Sequence, residues 1–122
     1  MSSLDAPLGP LDGRYRAAVA PLAEHLSEAA LNRQRVHVEV EWLIHLSATA
    51  AVPGMRRLTE GEQDRLRNVV QGFDTSAVAE LAEIERETQH DVKAVEYFLK
   101  RRTDETSLAD VAEHIHLFCT SE

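Results

Sequence analysis

With Cys119 as its only cysteine, the chain can form no intramolecular disulfide and no cysteine-based zinc site. Hydrophobic runs are short. No window approaches the roughly 18 apolar residues of a membrane span, and the start, MSSLDAPLGPLDGRY, lacks the basic and apolar regions of a signal peptide. A reducing, cytoplasmic setting without membrane contact is therefore expected. Positive charge is scarce as well. Thirteen Lys and Arg against 21 Asp and Glu give a net charge of −8, which argues against nucleic-acid binding, because phosphate contacts need clustered cations. The basic runs Met55-Arg56-Arg57 and Lys100-Arg101-Arg102 are short, lie among acids, and read as solvated faces. Aromatic residues make up only 5%, whereas Ala, Leu, Glu and Arg abound, which favours helices.

What is present supports a folded helical chain. A hydrophobic fraction of 43% and 122 residues suit one domain, or a piece of something larger. Pro7, Gly9, Pro10 and Gly13 predict an extended arm over residues 1–15 that ends in a turn at Asp12-Gly13. From about Leu22 to Ala51 the pattern predicts one long helix with Leu31, Val38, Trp42 and Leu46 on its buried stripe. Inside it, Val36 to Trp42 alternates like a strand, but no turn signal flanks that stretch. Pro53-Gly54 ends the helix. Thr59-Glu60-Gly61-Glu62 has the form of a capping box, and Asp74-Thr75-Ser76 caps a further helix that carries Val78, Leu81 and Ile84. Beyond the polar break Thr88-Gln89-His90-Asp91, the residues Val92, Val95, Phe98 and Leu99 mark another helix, with Asp91 as the expected cap. A last helix is expected from Ser107–Asp110 through Leu108, Val111, Ile115 and Phe118. The expected core is Leu31, Val38, Trp42, Leu46, Leu66, Val70, Phe73, Leu81, Val95, Phe98 and Ile115.

Several polar groups fit binding better than packing. Arg14 and Tyr15 directly follow the turn, and the guanidinium fork suits phosphate or carboxylate. His90 beside Asp91 falls at an expected helix start, where backbone N–H groups favour anions; a surface turn histidine is the plain alternative. Thr120 and Ser121 follow His116. A histidine metal site is not expected, because His37 and His45 lie eight apart and no HExxH pattern occurs. GxGxxG, P-loop, GxSxG and CxxC motifs are absent too.

Taken in order, PLDGRY, VEVEWL, ERETQHDVKAVEYFLK and IHLFCTSE resemble the adenylosuccinate lyase family, in its longer bacterial-type branch. The resemblance spans essentially the whole chain. It implies an N-terminal fragment of a member of the fumarase/aspartase superfamily, all-α, with an N-terminal helical domain over 1–106 and the beginning of the central helical domain over 107–122. It further implies a cytoplasmic homotetramer that eliminates fumarate from adenylosuccinate, giving AMP, and from succinylaminoimidazole carboxamide ribotide, with neither cofactor nor metal. By the same resemblance, Arg14 and Tyr15 grip phosphate, Gln89, His90 and Asp91 form a second binding segment, Thr120 and Ser121 bind a succinyl carboxylate, and His116 is a further substrate-site histidine. Many members have Asn where this chain has Gln89. No catalytic residue falls within the fragment, since the family's general acid and base lie beyond Glu122, so the fragment alone is expected to be inactive. Two alternatives stand beside this reading: a non-catalytic helical interaction module, and a sister lyase releasing fumarate from another adduct.

Overall fold

Helix starts and stops in this chain follow from a few side chains. Ser27 interrupts the first apolar stretch: its backbone is extended, with φ −78° and ψ 164°, and its hydroxyl accepts from the Ala30 N–H at 3.1 Å. The expected helix from Leu22 to Ala51 is therefore divided. It becomes α2 (Ala23–Leu26) and α3 (Glu28–Thr49), preceded by α1 (Arg16–Val19) and a 3-10 turn (Ala20–Leu22), because a hydroxyl that satisfies free N–H groups begins a new helix where Ala would continue the old one. The computed structural model describes residues 6–121, so the first residues of the expected arm lie outside the described ones. By backbone contacts the chain divides into two compact units, 1–31 and 32–122.

In the second unit the expected signals act as read. Thr59 and Glu62 form a full capping box at the start of α4 (Glu60–Gln71), and Gly72 closes that helix. The Asp74 carboxylate accepts from Ala77 N–H and starts α5 (Thr75–Thr88). The next cap differs from expectation. His90 occupies the N-cap position of α6 (Asp91–Thr103), its Nδ1 accepting from Lys93 N–H at 3.2 Å, while Asp91 is the first helical residue. An imidazole nitrogen with a free lone pair does here what a carboxylate oxygen usually does.

The final helix is not an α-helix. Residues Ala109–His114 form a 3-10 helix, and His116 and Phe118 have φ of 70° and 68°, left-handed values that no α-helix accommodates. Ile115 is buried, but Phe118 is exposed, contrary to its expected place in the stripe.

Val36, Val40, Leu43 and Ile44 of α3 pack with Leu58, Leu66, Leu81, Ile84, Val95, Phe98, Leu99, Leu108, Val111 and Ile115. Phe73 meets Phe98 edge to face with centroids 5.6 Å apart. Leu46, Leu66, Leu81, Val95, Phe98 and Ile115 are buried as expected, whereas Leu31 and Val38 are exposed at 49% and 63%. The reason is that α3 is apolar on two sides. The alternating valines at 36, 38 and 40 divide between them, and the side with Val36, Val40 and Leu43 at i, i+4 and i+7 faces the core. No strand occurs among the described residues, and none of their helices is long and apolar enough to cross a membrane.

Candidate functional site

In the first unit, Arg14 projects from a tightly built turn. Asp12 accepts from the N–H groups of Leu8 and Gly9 at 3.0 and 2.8 Å, and the Tyr15 N–H donates to Pro10 O at 2.8 Å. The Gly9 N–H foremost, and then the Leu8 N–H, hold the Asp12 carboxyl below its usual range. A Cβ at Gly13 would lie 3.1 Å from Pro7 Cβ and 3.2 Å from Gly9 O, so only glycine fits this close approach without a shift. Arg14 and Tyr15 are exposed, and Arg14 has no hydrogen-bond or ion-pair partner among the described residues.

In the second unit, one stripe of α3 organises the other candidates. Arg35, Glu39 and Trp42 lie at i, i+4 and i+7, and so project from neighbouring turns of one face. Arg35 pairs with Asp91 at 3.0 Å, tying the polar break to α3. The Val92 N–H and then Arg35 hold the Asp91 carboxyl below its usual range. Glu39 Oε1 lies 2.6 Å from His116 Nδ1, and Trp42 Nε1 donates to Leu117 O at 2.7 Å. Across its ring, His116 Nε2 lies 3.3 Å from Ser121 Oγ. His116 and Ser121 are thus brought together, and Asp91 is tied through Arg35 to the same helix, a turn away from Glu39.

Sequence reasoning missed Arg35, Glu39 and Trp42 as a set. Their spacing was the available signal, but no partner could be assigned to Glu39 across the 77 residues that separate it from His116.

Gln89 sits in the left-handed region at φ 54°, and its amide donates to Arg86 O at 2.8 Å, which turns it back onto α5. Thr120 is exposed. Because Nδ1 of His90 accepts from Lys93, the neutral ring carries its proton on Nε2, which is free to donate outward.

Among the described residues, Glu39, His116 and Cys119 bring potential metal-ligand atoms within 4.8 Å of one another, a grouping that sequence spacing did not reveal. Burial first, and the Glu39 charge second, push the Cys119 thiol up, so it stays protonated at neutral pH and is a weak ligand. Glu39 and His116 already engage each other, and the Cys119 thiol donates to Leu117 O at 3.8 Å instead. A cleft lined by Ile84, Thr88, Tyr97, Lys100, Arg101 and others shares only Thr88 with the polar break. Neither His90 nor His116 lines it.

No protein-family model matches the chain. Among curated proteins, it is 46% identical over 123 aligned positions to an adenylosuccinate lyase of Haemophilus influenzae and 44% identical to that of Escherichia coli K12, covering 100% of this chain and 27% of each relative. An adenylosuccinate lyase of Dictyostelium discoideum is 37% identical over 118 positions, 94% of this chain and 25% of the relative. The chain thus spans about 27% of the length of the first two relatives. Matches of this extent, along a helical chain that carries the PLDGRY, TQHD and CTSE segments, mean that it belongs to the adenylosuccinate lyase family.

Proposed function

We propose that this chain supplies binding groups to an adenylosuccinate lyase of purine biosynthesis, a cytoplasmic homotetramer whose remaining length completes the site. The observation that carries the reading is the match of the entire chain to adenylosuccinate lyases at up to 46% identity. The reaction is a β-elimination. A base removes a proton from the carbon next to a succinyl carboxylate, the carbon–nitrogen bond breaks as fumarate forms, and an acid protonates the leaving nitrogen of AMP. The succinylated carboxamide ribotide reacts in the same way.

This chain's groups bind and orient. Arg14 and Tyr15 hold the nucleotide phosphate, and Gln89, His90 and Asp91 form a second binding segment, with the His90 Nε2–H directed outward. Thr120 and Ser121 hold a succinyl carboxylate through hydroxyl and backbone N–H groups, and His116 stands beside Ser121. Neither acid nor base comes from this chain, so the 122 residues alone leave adenylosuccinate intact. The exposed Leu31 and Val38 of α3 suit a face that another subunit covers. The boundary between residues 106 and 107 separates the N-terminal from the central domain in this scheme.

The test is to supply the longer protein with adenylosuccinate and follow AMP and fumarate, which should appear in equal amounts; release of neither would overturn the proposal. A second measurement separates the two roles of His90. His90→Ala is expected to lower helix stability by about 1 kcal/mol through loss of the cap, whereas His90→Asn keeps a capping oxygen. Both variants are expected to lose turnover. Full turnover in the Asn variant would reduce His90 to a cap.

A further inference from the structure

We infer that Glu39 is a positioning residue for His116, holding its ring so that Nε2 faces Ser121 and the succinyl end of the substrate; this rests on the function proposed above. The side chains of Glu39 and His116 are 9% and 12% exposed, and their 2.6 Å contact is short even for a charge-assisted hydrogen bond. A carboxylate can only accept, so the proton between them belongs to Nδ1 of the imidazole. In the neutral ring the other nitrogen, Nε2, then meets Ser121 Oγ with its lone pair, and the hydroxyl donates to it.

Two further observations make this more than packing. Glu39 Oε2 is buried without a hydrogen-bond partner among the described residues, so local stability alone does not favour a carboxylate at this position. The backbone that carries His116 is itself strained. His116 and Phe118 both take left-handed φ values without being glycine, and only Leu117 stands between them. Glu39 on the His116 side chain and Trp42 on the Leu117 carbonyl hold that geometry from one face of α3. A histidine held by a carboxylate on one nitrogen, with a hydroxyl on the other, is oriented before substrate arrives.

The experiment is a double-mutant cycle in the longer protein. Glu39→Gln should lower kcat at least tenfold with KM moved less than threefold, and Glu39→Asp should recover part of the loss. Added to His116→Gln, the Glu39→Gln change should cost no further activity, whereas a merely structural role would reduce activity in that background too. Melting temperatures of the variants control for folding. An active wild type with unchanged kcat in Glu39→Gln, or full additivity with His116→Gln, would overturn the inference while leaving the lyase reading in place. A wild type that does not cleave adenylosuccinate would overturn both.

Discussion

Replacing Arg56 by methionine is expected to lower the unfolding free energy by about 2–3 kcal/mol, at or just below the range for a broken buried ion pair because Arg56 is itself 37% exposed. The sequence alone makes Arg56 a surface charge, and the structure overturns that reading. Its guanidinium donates to both Glu62 oxygens at 2.8 Å, to Asp110 at 2.8 and 2.9 Å, and to Ser107 O at 2.8 Å. Glu62, with its side chain 8% exposed, also accepts from Thr59 N–H and Ser107 Oγ, so it joins the capping box of α4 to the segment before the 3-10 helix. Without Arg56 that carboxylate stays buried with its main counter-charge gone.

Acidity should reveal the same contact. Arg56 is the chief cause holding the Glu62 carboxyl far below its ordinary value of 4.5, with the Thr59 N–H and Ser107 hydroxyl adding to it, and it holds Asp110 down as well. A carboxyl lowered in the folded state gives stability that is complete above the unfolded value and is lost as the pH falls. Urea unfolding should therefore show the widest gap between wild type and Arg56→Met near pH 7, narrowing below about pH 4.5. Glu62→Gln in the methionine background keeps the capping box and removes the stranded charge, so it should restore part of the loss. An equal gap at both pH values would mean that packing, not the ion pair, is what Arg56 contributes.

The second large effect concerns Arg14. In the longer protein, Arg14→Ala is expected to raise KM for adenylosuccinate by roughly 10- to 150-fold, the equivalent of about 1.5–3 kcal/mol for a charge-assisted contact. Turnover should change little, because the phosphate lies far from the bond that breaks and its binding is felt equally before and during reaction. Exposed Arg65, on α4, is the appropriate comparison, and its alanine variant should behave as wild type. A substrate analogue without the phosphate sharpens the measurement: wild type should discriminate strongly against it, and Arg14→Ala should not. Undiminished discrimination in the variant would remove Arg14 from the phosphate site.

What could be read in advance follows a physical division. Thr59, Glu62 and Asp74 act on N–H groups two or three residues away, so their effect is visible in a short window of sequence. The stripe of α6 was legible because its polar face is unambiguous. Helix α3 was not, since it has two apolar faces and only the partner elements decide between them. Ser27 could have been read as a cap, but it stands among helix formers on both sides. The His90 cap was assigned one residue late because imidazole rarely serves there. The Glu39–His116 pair lay beyond reach, as did the left-handed residues that follow Ile115, because distant contacts impose both.

The bond from Trp42 to the Leu117 carbonyl has an optical consequence. Trp42 is the only tryptophan in the chain, so all of its indole emission comes from one ring, stacked on His45 at 5.7 Å and tied to the segment that carries His116 and Ser121. Release of that carbonyl would expose the indole N–H to water and shift its emission to the red. The chain therefore contains its own fluorescent gauge of whether this segment is seated on α3, and no label need be attached to read it.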